Sequence, residues 1–286
     1  MNPEAQTKRL PVFKTIRDSF LFPWERKKRF LRAHSIHILV FSILLALILY
    51  FSNLKNNIEG DDSTLVLSLS SDSTLIFSIS IAALITGFGF YILFVITCHR
   101  LVLMEESAVP RNGMIKWTKR EGGFFLWLIA FGLFYMFLGF FEMVYALAFS
   151  SFVMGILDEF FNYKSEINLI PYAGLLILPA FLYMTARVCP IFPATAIDKK
   201  VNMTWAWNLS EGNGWRLALV LGVAPLILEL IVKGIDSFSE ISSIPYIGLI
   251  VYLPALYFLT VIEIVALSLS YKHLVEFNVP EPSEVE

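Results

Sequence analysis

The chain has 286 residues, of which 57% are hydrophobic, 15% aromatic and 16% charged, with a formal net charge of −2. Soluble domains run nearer ~45–50% apolar and ~25% charged, and here the apolar residues come in long blocks. That argues against a soluble enzyme, a disulfide-built secreted scaffold and a nucleic-acid-binding domain. It points to a polytopic membrane protein.

Residues 1–33 read as an amphipathic, polybasic segment. Val12, Phe13, Ile16 and Phe20 fall on one helical stripe, the pattern of a short helix lying in a membrane interface. The run RKKRFLR follows, with Arg26, Lys27, Lys28 and Arg29 as a candidate surface for anionic lipid headgroups. No short apolar stretch with a small-residue cleavage site follows the basic residues, so no cleaved signal peptide is expected.

Residues 34–274 are expected to form an all-α transmembrane bundle of six spans. The apolar blocks run approximately from Ile36 to Phe51, Leu75 to Thr97, Phe124 to Met154, Leu169 to Thr185, Leu217 to Ile235 and Ile247 to Leu269. Six helices of ~20 residues fit within this length. The blocks do not alternate, and in hydrocarbon a helix then remains as the way to pair every backbone group. Residues 275–286 form an acidic tail with Glu276, Glu281, Glu284 and Glu286.

Charge sets the expected orientation. Nineteen of the 22 basic residues lie on one side of these blocks, and the opposite loops hold only Lys55, Lys164 and Lys233. By the positive-inside rule both termini are cytoplasmic. All six tryptophans fall on or near that side. Cys98 and Cys189 sit near the same face, where reduced thiols are expected rather than a disulfide.

The last four spans read as two copies of one hairpin. WTKREGGFFLWL precedes the third span and WNLSEGNGWRLAL the fifth, sharing Trp-x-x-x-Glu-Gly at Trp117/Glu121/Gly122 and Trp207/Glu211/Gly212. IPYAGLLILPA opens the fourth span and IPYIGLIVYLPA the sixth, aligning Pro171 with Pro245 and Gly174 with Gly248. Both copies enter from the same side, which makes the repeat parallel. Such duplication occurs in transporters, and it also builds simple bundles, the preferred reading.

Four ionisable residues lie within or bordering the spans: Glu142, Arg187, Glu229 and Glu263. Charges at such depth usually face a partner or a cavity. Arg187 and Glu263 sit at similar depth, so an ion pair between them is expected. Glu229 precedes Lys233 by four residues, the favourable order for a helical pair. Glu142 shares its stripe with Tyr135, Gly139, Tyr145 and Ala146. It is either a protonated carboxyl bonded to a tyrosine, which is preferred, or a proton or cation site.

Pro179, Pro225 and Pro254 interrupt three spans and are expected to kink them. His34, His37, His99 and His273 lie at span ends and read as interfacial. His34 and His37 share a face and offer metal ligands together with Cys98 or Glu105, but no motif has metal-ligand spacing, and the interfacial reading is preferred. No metal or cofactor is expected, and no catalytic residue is assigned. No phosphate loop, nucleophile elbow or zinc-protease motif is present.

The stretch joining the fourth and fifth spans holds Pro190, Pro193, Asn202, Trp205, Trp207 and the turn EGNG. Asn202 is placed to cap a short helix carrying both tryptophans. Trp205 and Trp207 are candidate lipid- or partner-contacting residues.

Arg187, Pro193, Ala196 and Asp198, then AWNLSEGNGWRL, together with CHRLVLMEE after the second span, resemble a group of uncharacterised six-span bacterial inner-membrane proteins. More loosely, the layout is similar to the YciC-like membrane proteins. The resemblance implies an all-helical fold in the bacterial cytoplasmic membrane and no particular activity. The expectation is a non-catalytic integral inner-membrane protein acting through lipid or protein contacts, without nucleic acid. The alternative is a small transporter or channel using the kinked fourth and sixth spans.

Overall fold

The computed structural model describes residues 9–59, 69–105, 108–110, 116–161, 170–241 and 247–278. Among them every regular element is a helix: α1 (Val12–Glu25), α2 (Lys27–Glu59), α3 (Leu69–Leu103), α4 (Lys119–Phe161), α5 (Ile170–Val188), α6 (Ile191–Ala196), α7 (Met203–Leu209), α8 (Gly214–Ile241) and α9 (Ile247–Asn278). Six of these are long and coincide with the six apolar blocks. Most run beyond them into polar flanks, because an i→i−4 ladder continues wherever nothing breaks it. At 43 residues, α4 extends about 65 Å at ~1.5 Å per residue, roughly twice a bilayer's hydrocarbon thickness.

Local chemistry sets the boundaries. Thr118 precedes α4 and Glu121 is its third residue. The Thr118 N–H donates to Glu121 Oε2 at 2.7 Å, and the Thr118 hydroxyl donates to the same oxygen, the reciprocal half of a capping box. Asn202 Oδ1 accepts from the Trp205 N–H at 2.8 Å and starts α7 as expected. α6 follows Pro190 and ends in a Schellman turn. There the Asp198 N–H reaches the Thr195 carbonyl at 3.1 Å and the Lys199 N–H reaches that of Ala194 at 3.0 Å. This turn places Asp198 at φ 64°, a left-handed conformation that aspartate tolerates better than most residues. Helices α5, α8 and α9 continue through Pro179, Pro225 and Pro254.

The packing is concentrated at one end. One cluster joins Phe30 and Ala33 of α2, residues of α3 between Ile92 and Leu101 that include Phe94, Ile96 and Cys98, Phe124 of α4, Ala196 of α6, and Val261, Ile264 and Val265 of α9. A second joins Leu10, Ala186, Ala194, Leu209, Leu217 and Leu274. These positions lie where α3, α5 and α9 finish and where α4 and α8 begin. The elements α1, α6 and α7 share that end.

Elsewhere the long helices turn large apolar side chains outward, among them Leu84, Ile85, Leu126, Met136, Phe152 and Leu230. Exposed apolar surface on this scale is a liability in water and is the normal condition in lipid. Among the described residues, three helical segments are long and apolar enough to cross a membrane: Ser78–Leu103, Lys119–Ile156 and Pro254–Glu276. They are enclosed to different degrees. The apolar window of Lys119–Ile156 is 11% buried and that of Pro254–Glu276 is 56% buried. α4 is therefore an outward-facing helix and α9 an internal one.

Helix neighbours run α3–α9–α8–α5–α4, and α4 packs on α3 in turn, so five long helices close a ring. α2 packs along α3, with His34 reaching Tyr257 of α9, and α1 packs on α8 and α9. α6 touches α3, α4 and α9, and five of its six residues are buried. It closes one end of the ring.

Candidate functional site

Three polar networks tie this closed end together. The first surrounds Arg187, in the last turn of α5. Its Nε donates to Ser210 Oγ at 3.1 Å, one Nη to the Tyr183 hydroxyl at 3.2 Å, and the other to the Trp207 carbonyl. The guanidinium also lies 4.0 Å from the centre of the Trp207 ring, a cation–π contact. These bonds fasten the turn after α7 to the end of α5. They correct the expected Arg187–Glu263 ion pair, because the guanidinium is committed to the α7–α8 turn. Equal depth along two helices does not settle which way their side chains point around the axes.

Gly214 makes this arrangement possible. A Cβ there would overlap the Tyr183 ring and come within 2.8 Å of Arg187 Cδ, so only glycine lets α8 begin this close to α5.

The second network centres on Asp198. Arg100 Nη1 donates to Asp198 Oδ2 at 3.0 Å and to the Ala196 carbonyl at 3.1 Å. Arg120 Nη1 reaches the same carboxylate oxygen at 3.2 Å and grips Glu121 Oε1 through Nε and Nη2. Arginines from α3 and α4 thus hold the turn after α6. Both guanidinium side chains are less than a tenth exposed, where bidentate, hydrogen-bonded pairing is needed to offset desolvation. Sequence reasoning did not single out Arg100, Arg120, Glu121 and Asp198 as a group. The spacing Thr118-x-x-Glu121 carried a readable capping signal, but the meeting of Arg100 with Asp198 is set by the tertiary fold.

The third network anchors α1. The Leu10 N–H donates to Asn213 Oδ1 at 2.8 Å, and Arg216 donates to the Leu10 carbonyl at 2.9 Å. The protein-facing residues of α1 are Thr15, Ser19 and Pro23, with Val12 and Ile16 against the second core cluster. This corrects the sequence reading, in which Val12, Phe13, Ile16 and Phe20 formed one membrane-facing stripe. Phe13, Leu21 and Trp24 are the large apolar residues of α1 that point outward.

His34, His37 and His99, placed by the sequence at span ends, are buried among neighbouring helices. His34 Nδ1 meets the Tyr257 hydroxyl at 3.1 Å and its Nε2 meets Cys98 Sγ at 3.3 Å. His99 Nδ1 meets Ser268 Oγ at 2.7 Å. The order Cys98–His34–Tyr257 resembles a nucleophile, base and orienting group, but Cys98 and His34 are 0% exposed, so no substrate reaches the sulfur. Among the described residues no group of three or more His, Cys, Asp or Glu is arranged to hold a metal.

The remaining sequence candidates fall in different surroundings. Arg26, Lys27 and Lys28 are exposed, whereas Arg29 is half-buried. Arg26 lies over Phe22 and Lys27 over Trp24. Trp205 is half-buried with its ring against Tyr271, so it packs inward and Trp207 supplies the outer edge. Trp117 contacts Phe125. Glu142 is half-buried, and among the described residues no hydrogen bond or ion pair reaches it. Lys233 is exposed, and the Glu229 side chain lies outside the described residues. Glu263 is exposed.

An apolar cleft of about 290 Å³ opens between α4, α5 and α7, lined by Phe131, Phe134, Met184, Thr185, Met203 and Trp207 among others. No family model, curated protein or solved structure matches this chain.

Proposed function

We propose that this chain is a multi-pass protein of the bacterial inner membrane, with six spans and both termini cytoplasmic. In this reading it acts without catalysis, through contacts with anionic lipid headgroups or with a membrane-protein partner. One observation carries the reading: the tightly packed end of the bundle bears a belt of exposed tryptophans, Trp24, Trp117, Trp207 and Trp215, beside exposed Arg26, Lys27 and Lys28. Tryptophan favours the headgroup level of a bilayer, and basic residues there draw anionic lipid at about 1 kcal/mol each. The asymmetry of basic residues along the sequence supports a cytoplasmic location for this end.

The α4–α5 and α8–α9 hairpins read as a parallel duplication. Their shared glutamates have diverged in use, since Glu121 is a buried cap and Glu211 an exposed turn residue.

The test is co-purification from native membrane with quantification of bound lipid. Wild type should be enriched in anionic over zwitterionic phospholipid, and a variant with Arg26, Lys27 and Lys28 changed to glutamine should lose most of that enrichment. Equal lipid ratios in the two proteins would overturn the headgroup reading. A second reading, a small transporter or channel, is favoured by one observation: five long helices pack one on the next in a ring.

A further inference from the structure

We propose that the apolar cleft between α4, α5 and α7 holds one acyl chain of an anionic phospholipid, with the phosphate directed to Lys200. The site lies on other elements than Arg26, Lys27 and Lys28, and it rests on the reading of the chain as a membrane protein.

The walls of the cleft are fixed by protein contacts. Thr185, in the lining, accepts from the Tyr135 hydroxyl at 3.2 Å and so ties α5 to α4. Trp207, the α7 wall, is held to α5 by Arg187, which donates to its carbonyl and lies 4.0 Å from its ring centre. Phe131 is buried, its ring centre 4.8 Å from that of Phe192. A wall held in this way is shaped before any ligand arrives, which lowers the cost of binding.

The cleft also has a polarity. On α4, exposed Phe137 lies one turn beyond the lining residue Phe134, and on α5, exposed Leu182 lies one turn before Thr185. α4 runs away from the packed end and α5 toward it, so both steps lead away from α7 onto outward-facing apolar surface. At the α7 end the edge is Trp207, a residue suited to headgroup depth. Lys199 and Lys200 are exposed just before α7. Lys199 Nζ lies 5.7 Å from the ring centre of Tyr271 on α9, and the neighbouring Asp198 carboxylate is met by Arg100 and Arg120. Lys200 is the cation that remains for a ligand. It precedes the lining residue Met203 by three residues, at most about 11 Å of extended chain. A cation at the tryptophan end and an apolar path leading away from it match the two ends of a phospholipid.

Size and lining narrow the occupant further. A volume of about 290 Å³ equals roughly ten water-sized units, the bulk of a short run of methylenes. A single helical turn, about 10 Å across and 5.4 Å long, is already larger, so a partner helix does not enter. Among the described residues no charged side chain lines the cleft, so the charge of the ligand stays at its rim.

The experiment reconstitutes the full-length protein in phosphatidylcholine vesicles containing a trace of phosphatidylglycerol with a diazirine midway along one acyl chain. After photolysis the labelled residues are mapped by mass spectrometry. Methionines at three positions give the comparison: Met136, on the outward face of α4, is 72% exposed, whereas Met184 and Met203 in the cleft are 38% and 40% exposed. Bulk lipid contact follows exposure and favours Met136. An occupied cleft should instead label Met184 and Met203 at least threefold over Met136, and excess unlabelled phosphatidylglycerol should remove that difference. Thr204→Trp, which fills the cleft from α7, should abolish the difference, whereas Thr204→Val should keep it. Lys200→Gln should erase the advantage of this probe over a phosphatidylcholine probe carrying the same chain. Gel filtration and helical circular dichroism matching wild type show that each variant is folded. Labelling that follows exposure, unchanged cleft labelling in folded Thr204→Trp, or displacement by palmitate ahead of phosphatidylglycerol overturns the site. Equal labelling of wild type by the two probes overturns the assignment of an anionic headgroup to Lys200. Absence of label at Met136 as well as in the cleft overturns the membrane reading itself, a result distinct from the others.

Discussion

Arg187 and Gly214 show how a single residue sets geometry in this bundle. The planar guanidinium answers a hydroxyl, a phenol and a backbone carbonyl at once, which a lysine ammonium on a flexible stem does not reproduce. Arg187→Lys should therefore lower stability by about 1–3 kcal/mol despite conserving charge, read as a lowered Tm in detergent; an unchanged Tm would remove the network from the fold's supports. Gly214→Ala pushes a methyl group into Tyr183 and Arg187, and should cost about 1–3 kcal/mol through overpacking. If Gly214→Ala melts with wild type, α8 does not start against α5 as described. Asp198 carries two burdens, the left-handed turn and two arginines. Asp198→Asn keeps tolerance of that backbone and loses the charge, whereas Asp198→Ala loses both. The alanine variant should be less stable than the asparagine variant by about 1 kcal/mol, a ranking that thermal melts can reverse.

At the scale of elements, α1 and α6 behave differently from what their sequences advertise. α1 has the stripe of an interfacial helix, yet Thr15, Ser19 and Pro23 meet the protein, because Asn213 and Arg216 hold the backbone at Leu10 and fix the helix's rotation. Asn213→Ala removes one of those bonds. Limited proteolysis should then cleave near residues 9–25 faster than in wild type, while α8 and α9 stay protected; identical cleavage kinetics would mean that α1 is held by its side-chain packing alone. α6 is only six residues long and too short to be stable alone. Its stability comes from burial under three longer helices and from the ion pairs after its last turn.

At the scale of the whole molecule, the buried positions among the described residues gather at one end. Buried residues of α3 begin at Ile92 and those of α9 at Leu259, and α8's buried positions are confined to its first turns among the described residues. If all six long helices cross the bilayer, reporters fused at residue 1 and residue 286 should both register cytoplasmic, and reporters inserted within residues 60–68, 162–169 and 242–246 should register on the opposite side. A terminus and the nearest of these positions reporting the same side would eliminate that crossing.

Helix content and helix positions were legible in the sequence, since apolar blocks of this length in lipid leave the helix as the way to pair the backbone. So were the Asn202 cap and the chemistry of Thr118-x-x-Glu121, because capping acts within four residues. Side-chain partners across helices were not. The depth of Arg187 and Glu263 follows from counting residues, but their directions depend on how each helix is rotated, which packing alone decides. The same holds for His34, His37 and His99, placed at a boundary by position and drawn inside by neighbouring helices. Sequence by itself determined which segments are helical and apolar and which end is basic and rich in tryptophan. Tertiary structure decided that five helices form a ring and that α6 packs at one end of it, because rotation and neighbour choice are collective outcomes of packing.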